Sequence, residues 1–265
     1  MPPNDVVRHD LRVFPRIDFD GESEPMPIPL VSRPPGLPLT KPPNDAMITG
    51  QALDVLPYRS VGKMKLFFDP LRSKEASGWV VAPRAFITAG HCVYTVSLGG
   101  WIIEASFCPR FNLTCPGTDY KVEAVFTLQG WIDQGPGLRQ YDMAACLVTE
   151  PFAATEPPLA FVVNRDPVFE YAAIGYPTKP ISTHDFNGLR MWQSLGDIQD
   201  EGDGLIWAAN DLTGGASGGP WIRASDDDDI VGGLTAARIT EDPNLAVSPV
   251  FAQGFQNLYD AVKDL

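Results

Sequence analysis

The sequence predicts an all-β protein with two similar halves and one short helix at the C-terminus. Short apolar runs recur along the chain and are separated by turn residues, a pattern typical of strands. The 265 residues include 24 glycines and 26 prolines, which favour turns between short strands over long helices. The final stretch differs, because its apolar residues recur at helical spacing.

The individual strands are predicted from these apolar runs. In the first half they are Leu53–Phe68 (strand, turn and strand), Trp79–Val81, Ala85–Ala89, Trp101–Phe107, Tyr120–Leu128 and Met143–Val148. In the second half they are Tyr171–Gly175, Met191–Ile198, Leu205–Trp207, Trp221–Ile222 and Ile230–Leu234. The helix is predicted at Gln256–Val262, where Leu258, Ala261 and Val262 share one face.

Composition divides the chain into three regions. Residues 1–50 hold 11 of the 26 prolines. Because proline lacks a backbone N–H donor and favours extended structure, we predict an arm, linker or pro-segment there. Residues 51–155 and 156–265 are the two predicted β-domains, joined by a connection rich in proline and alanine.

Charge and hydropathy argue against several classes of partner. The net charge of −13 argues against nucleic acid, because nothing would neutralise the phosphates. No run of 18 apolar residues is present, so we predict no membrane span. The N-terminus lacks the basic and apolar regions of a secretory signal. We therefore expect a secreted protein only if a leader has been removed, and otherwise leave the compartment open. We expect a monomer that needs no cofactor or metal.

The stretch Gly214–Pro220 is the strongest candidate for chemistry. It places Ser217 among small residues, four of them glycines, which suit unusual backbone dihedrals and close approach. A serine in such a turn presents its Oγ, while neighbouring backbone N–H groups converge on an oxyanion. A flexible glycine-rich loop is the alternative, so the interpretation depends on finding a base and a carboxylate elsewhere.

His91 and Asp142 are the candidates for these two roles. His91 follows an apolar strand, and the small Ala89 and Gly90 leave room beside it. Asp142 opens the apolar run that begins at Met143, where a carboxylate is costly to bury without a partner. If Asp142 accepts the Nδ1–H of His91, Nε2 can take the proton of Ser217. A packed core histidine and an exposed turn aspartate are the alternatives.

The order of these residues along the chain distinguishes between two known arrangements of a catalytic serine, histidine and acid. Residues 215–219 satisfy the Gly-x-Ser-x-Gly pattern of the α/β-hydrolases, which requires a histidine after the serine. No histidine follows Ser217, and helices do not alternate with strands. The order His91, Asp142, Ser217 matches the chymotrypsin-like template instead.

Three motifs together resemble those of the trypsin-like serine proteases. They are Thr88–Cys92, Tyr141–Ala144 and Gly214–Pro220. Further stretches resemble the glutamyl-endopeptidase-like branch, namely Leu56–Tyr58, Val61–Gly62, Ile174–Pro177, Met191–Trp192 with Ser194 and Gly196, and Asp211–Thr213. The similarity covers residues 51–265 and implies two six-stranded antiparallel β-barrels of the chymotrypsin-like kind with an active cleft between them.

The resemblance also implies roles for individual residues. His91 would be the general base, Asp142 would orient it, and Ser217 would be the nucleophile. The N–H groups of Gly215 and Ser217 would form the oxyanion hole. Ala216 stands where trypsin-like zymogens carry an aspartate that pairs with a new N-terminus, so that activation device is missing. The usual disulfide partner of Cys92 would fall near Ala76, so that bridge is missing too.

Substrate preference is assigned to a small group of residues by the same resemblance. The candidates for contact with the substrate are Asp211, Leu212, Thr213, Thr235, Ala236 and Arg238. Asp211 stands where trypsin carries the acid that binds arginine or lysine. Glutamyl endopeptidases carry a histidine on the strand after the serine loop, and this chain has none there. Because Arg238 could neutralise Asp211 or meet an acidic substrate itself, a basic and an acidic preference both stay open.

The four cysteines predict one disulfide. Cys108 and Cys115 flank a short loop and could close it, whereas Cys92 and Cys146 lie in apolar runs typical of free thiols. The short spacing of zinc-binding cysteines is absent, so we predict no metal site.

The leading hypothesis is a serine endopeptidase acting on protein or peptide substrates. The alternative is a catalytically weak binding or regulatory module on a protease fold, suggested by the missing activation aspartate and by a long arm that could occlude the cleft.

Overall fold

The computed structural model describes residues 1–11, 23–27, 30–32, 39–164, 170–224 and 229–265. Within this part of the chain, strands dominate. They are β1 (Val6–Asp10), β2 (Ser23–Pro25), β3 (Leu30–Val31), β4 (Asn44–Ile48), β5 (Val61–Phe67), β6 (Ser73–Ala82), β7 (Ala85–Thr88), β8 (Tyr94–Thr95), β9 (Gly100–Trp101), β10 (Glu104–Pro109), β11 (Tyr120–Leu128), β12 (Ala144–Val148), β13 (Glu170–Gly175), β14 (Met191–Gly202), β15 (Leu205–Ala209), β16 (Pro220–Arg223), β17 (Val231–Leu234), β18 (Ala237–Ile239) and β19 (Leu245–Pro249).

Helical structure is sparse by comparison. The α-helices are α1 (Gly90–Val93), α2 (Gln129–Gln134) and α3 (Gln253–Val262). Short 3₁₀ turns occupy Gly50–Asp54, Tyr58–Ser60, Val96–Leu98, Gly135–Gly137 and Arg139–Tyr141. No helix in the described ranges is both long enough and apolar enough to cross a bilayer.

The first half of the chain forms a closed antiparallel barrel. Its strands pair in the order β5, β6, β7, β12, β11 and β10, and β10 pairs with β5 to complete the ring. The fully buried side chains of its strands include Met64, Trp79, Phe86 and Phe107. Burying an apolar side chain of this size contributes about 1.5–3 kcal/mol, so these residues make the barrel a stable support.

The second half also forms an antiparallel sheet, which is curved. The strand order is β17, β16, β13, β14, β15, β19 and β18, with antiparallel neighbours throughout. Among the described residues its backbone ladders form a half-barrel, because β17 and β18 stay unpaired with each other. The predicted all-β class with two antiparallel barrels is confirmed, although the second barrel is open between β17 and β18 within the described residues.

The terminal helix confirms the helical spacing in the sequence. It begins at Gln253, three residues earlier than predicted, and buries Phe255, Leu258 and Val262. The ring of Phe255 stacks on Phe251 at 3.8 Å between centroids and lies 6.2 Å from Trp79 of the first barrel. The helix therefore covers the first barrel with the face that its sequence pattern indicates.

The strand predicted at the start of Leu53–Phe68 is wrong. Two 3₁₀ turns, Gly50–Asp54 and Tyr58–Ser60, precede β5 instead. Leu53 is buried there, but Val55 and Leu56 are exposed, so this stretch has no apolar face to place against the barrel. The strand predicted at Trp101–Ile103 is also wrong, because β9 ends at Trp101 and β10 begins at Glu104. The other strand predictions are confirmed, with differences at their ends.

The proline-rich arm contributes strands to both halves. β1 pairs antiparallel with β11 of the first barrel, and β4 pairs antiparallel with β14 of the second. β2 and β3 pair in parallel with β6 and β18. In the described part of the arm, the chain therefore follows both sheets and is fastened to them by backbone hydrogen bonds.

Candidate active site

The three predicted catalytic side chains come from three separate elements. His91 lies in α1 directly after β7, Asp142 lies between a 3₁₀ turn and β12, and Ser217 lies in the loop before β16. All three are buried, with exposures of 2%, 0% and 0%. The serine loop lies directly against the segment that leads to His91, because a Cβ on Gly218 would come within 2.7 Å of the Ala89 backbone nitrogen.

His91 and Asp142 form a close pair. The Nδ1 of His91 lies 3.0 and 3.1 Å from the two carboxylate oxygens of Asp142. The backbone N–H of His91 also donates to Asp142 Oδ1 at 2.8 Å. Because a carboxylate only accepts, Nδ1 carries the proton and Nε2 is left as the basic nitrogen of the neutral ring.

The pair also sets the protonation behaviour of the imidazole. Burial favours the uncharged ring and by itself lowers the pKa of His91. The adjacent Asp142 carboxylate stabilises the imidazolium, and Cys92 adds a smaller effect of the same sign. Together they outweigh burial, so the pKa of His91 rises from 6.5 to about 10. An imidazole in this setting holds a transferred proton well, which is what a general base needs during attack by a hydroxyl.

Two atoms at the centre of the site have no hydrogen-bond partner among the described residues. They are the Nε2 of His91 and the Oγ of Ser217, and both are buried. Buried polar atoms are nearly always paired in folded proteins, so two unpaired ones in neighbouring segments call for a functional explanation. A hydroxyl and a basic nitrogen left without structural partners are free to react with a bound substrate.

Strand β6 of the first barrel holds the serine loop in place. The backbone N–H of Ser77 donates to the carbonyl of Ser217 at 2.8 Å, and its hydroxyl donates to the carbonyl of Gly215 at 2.8 Å. That hydroxyl also accepts the N–H of Tyr176 at 2.9 Å. Ser77 therefore joins the serine loop, the end of β13 and the first barrel.

The loop backbone requires glycine at two positions. Gly215 has φ of +95°, and a Cβ there would lie 2.4 Å from the carbonyl oxygen of Tyr176. Gly218 has φ of +81°, and a Cβ there would lie 2.2 Å from Thr88 Oγ1. Within the described residues, the N–H groups of Gly215 and Ser217 donate to no acceptor. Two unused N–H groups beside a serine hydroxyl can stabilise an oxyanion.

Ala216 explains how the loop is ordered without an activation ion pair. Its side chain is fully buried, and it packs so closely on Gly175 that a Cβ there would lie 3.0 Å away. Its N–H donates to Thr213 at 3.1 Å, and its carbonyl accepts from Gly219 at 3.0 Å. The turn is closed by its own backbone, so no charged partner is needed at this position.

Asp211 is buried against a second carboxyl group that the sequence did not predict. Its carboxyl group interacts with that of Asp45 of β4, and Asp45 Oδ2 lies 3.0 Å from the Nε2 of His184. Burial and then Asp45 raise the pKa of Asp211 to about 7, although Arg238 opposes the shift. Asp211 thus carries a proton over much of the acidic range.

The other residues predicted to contact substrate differ in burial and in hydrogen bonding. Thr213 exchanges hydrogen bonds with the backbone of Lys179, and Thr235 Oγ1 accepts from Trp221 Nε1 at 2.9 Å. Leu212 and Ala236 are fully buried. Arg238 is partly exposed and donates to the carbonyl of Pro243. Arg238 is the cation of this group and interacts with Asp211, whereas both threonine hydroxyls hydrogen-bond within the fold.

The cysteines are arranged as one bridge and two thiols. Cys108 and Cys115 form a disulfide. Cys92 and Cys146 are free and buried, and burial raises the pKa of Cys146 well above its ordinary value.

Comparison with known proteins gives one curated relative and many similar structures. No family model matches the chain. A glutamyl endopeptidase of Bacillus licheniformis is 28% identical over 155 residues, which cover 57% of this chain and 46% of that protein. The matched region therefore spans less than half of the relative.

Solved proteases share the fold over most of the chain. A Glu endopeptidase has a TM-score of 0.71 at 18% identity, covering 86% of this chain and 100% of that one. The protease Anisep from Arthrobacter nicotinovorans has a TM-score of 0.68 at 18% identity, covering 80% and 98%. The fold is that of the trypsin-like serine proteases. The curated relative is a glutamyl endopeptidase, the branch that the motifs resemble.

Proposed function

We propose that this protein is a serine endopeptidase that cleaves peptide bonds through an acyl-enzyme. One observation carries the proposal: a buried hydroxyl on Ser217 and a buried basic nitrogen on His91, both unpartnered within the described residues, with Asp142 fixing the imidazole. The curated relative, a glutamyl endopeptidase, supports the same class of reaction.

The proposed reaction uses each group at a defined step. Ser217 Oγ attacks the carbonyl carbon of the peptide bond while its proton passes to His91 Nε2. The resulting oxyanion accepts hydrogen bonds from the N–H groups of Gly215 and Ser217. The C–N bond then breaks, and His91 returns the proton to the leaving amine. A water molecule then attacks the ester formed on Ser217 and gives its proton to His91. The ester bond breaks, which releases the carboxylic acid product and regenerates the serine hydroxyl.

We further propose an acidic residue before the scissile bond. Asp45 and burial favour the neutral form of Asp211, and a neutral carboxyl is a weak partner for a lysine or arginine. The guanidinium of Arg238 keeps its charge at any working pH and forms strong pairs with carboxylates. A basic preference is the alternative, and it requires Asp211 to ionise when the substrate binds.

Hydrolysis of a complex peptide mixture, read by mass spectrometry, tests both parts. The unsubstituted protein is expected to generate new termini enriched for one residue type, and Ser217→Ala is expected to generate none above background. Matched cleavage by both proteins would contradict the proposed nucleophile. Saturable peptide binding without any cleavage would favour the protease-fold binding module.

A further inference from the structure

Two short strands of the arm lie along the sheet edges that flank the candidate site. β2 pairs in parallel with β6, in register from Ser23 opposite Ser73 to Pro25 opposite Glu75. β3 pairs in parallel with β18, with Leu30 opposite Arg238. The first edge belongs to the strand that holds the serine loop, and the second carries a predicted substrate contact. We call residues 23–27 and 30–31 the cleft segment.

The cleft segment contacts the site itself. The N–H of Met26 donates to the carbonyl of Glu75 at 2.8 Å, and the side chain of Met26 is 1% exposed. The carbonyl oxygen of Met26 would lie 3.2 Å from a Cβ on Gly214, the neighbour of Gly215. A cavity of about 460 Å³ lies beside it, lined by Met26, Pro27, His91, Tyr94, Val96 and Trp131. The segment thus packs on the serine loop and next to the imidazole.

The sequence of the cleft segment suits a peptide that binds beside the candidate site without being hydrolysed. Prolines stand at positions 25 and 27 of the segment. Proline fixes an extended φ, so little conformational entropy is lost on docking, and its ring replaces the N–H of the amide. In the described residues of the segment, no carbonyl accepts a hydrogen bond from the N–H of Gly215 or Ser217. The described residues of the segment therefore line the cleft without a backbone hydrogen bond to these two N–H groups.

We propose that the cleft segment is an intramolecular inhibitor that occupies the strand edges on which a peptide substrate pairs. This inference rests on the proposed function. Adding a strand to an open sheet edge is a general mode of peptide recognition. Because the segment runs parallel to both edges, a peptide of opposite direction would pair antiparallel with both, which is the slightly more stable arrangement. Substrate and segment therefore compete for one surface.

An exposed ion pair fastens the start of the segment. Lys74 Nζ pairs with Glu24, and the side chains are 15% and 56% exposed. The attraction of Lys74 lowers the pKa of Glu24. Because both groups reach solvent, reversing the charge of Glu24 alone weakens docking without disturbing either core.

The rate of labelling by a fluorophosphonate tests the inference in the full chain. Glu24→Lys is expected to raise the rate about three- to tenfold, since two like charges then replace an attractive pair. The double variant E24K/K74E is expected to return to within about twofold of the unsubstituted rate, because the pair is restored with its charges exchanged. Met26→Glu, which places a charge in a buried position, is expected to raise the rate further.

Two control variants in other strands of the arm show whether an effect on labelling is specific to the cleft segment. Asp10→Lys disrupts a comparable exposed pair with Arg8 in β1, and Met47→Glu changes an exposed methionine of β4. Both are expected to label at the unsubstituted rate. Equal rates for E24K, M26E and the unsubstituted protein would overturn the inhibitor and leave the proposed function standing. Absence of labelling in every variant would instead overturn the proposed function, and the inhibitor with it.

Discussion

The backbone N–H of Ser77 donates to the carbonyl oxygen of Ser217 at 2.8 Å, so a strand of the first barrel fixes the reactive loop of the second. The same residue accepts from Tyr176 and donates to Gly215 through its hydroxyl. A single small residue therefore couples the two halves of the protein beside the loop that carries Ser217.

Replacing Ser77 with alanine is expected to lower both stability and turnover. The change leaves the N–H of Tyr176 and the carbonyl of Gly215 buried without partners, which costs about 2–4 kcal/mol in the free energy of unfolding. Turnover is expected to fall at temperatures where the variant is folded, since the oxyanion donors lose their support. Ser194→Ala is the control, because its buried hydroxyl has no partner among the described residues. Equal stability of the two variants in urea would contradict this role for Ser77.

Asp142→Asn is expected to lower turnover by about 10⁴-fold, because an amide no longer fixes the reactive tautomer of His91. The pH profile is the more specific readout. Asp142 raises the pKa of His91, so the unsubstituted activity is expected to increase with pH through a value above 6.5, as the base loses its proton. In the asparagine variant this rise in activity is expected to occur at lower pH. A rise at the same pH in both proteins would show that another group controls the profile.

Stability is expected to fall as pH rises from about 4 to about 7. Asp211 has its pKa raised from 3.8 to about 7, so the folded state binds more protons than the unfolded chain across this window. Asp45→Asn removes the like charge and is expected to flatten this dependence, measured as the free energy of unfolding in urea at successive pH values. Asp10→Asn, on the exposed face of β1, is the control expected to keep the original slope. A steeper slope in D45N would contradict the account.

Replacing each ionisable residue of the predicted pocket with an uncharged amide tests the substrate preference. Arg238→Gln is expected to reduce cleavage after glutamate by at least about tenfold, while Asp211→Asn is expected to reduce it far less. Cleavage profiles of the two variants on one peptide mixture measure this directly. A loss of cleavage after arginine or lysine in D211N would support the basic preference instead.

Local motifs made the fold and the three central residues predictable. Ser217 and His91 each lie in a short string whose neighbours constrain the backbone, and Asp142 opens a strand with a clear apolar pattern. Asp45, Ser77 and Met26 carry no such signal. Their partners lie far away in sequence, as with Ser77 and Gly215, which are separated by 138 positions. A serine in a strand and a methionine between prolines are common, and only their tertiary contacts connect them to the site.

Identification of the residue that reacts with a fluorophosphonate is the most direct test of the central proposal. A single adduct is expected on the peptide that contains Ser217. It is expected to be absent in Ser217→Ala and to form much more slowly in His91→Ala. An adduct on another residue, or equal labelling of the unsubstituted protein and Ser217→Ala, would contradict the proposal.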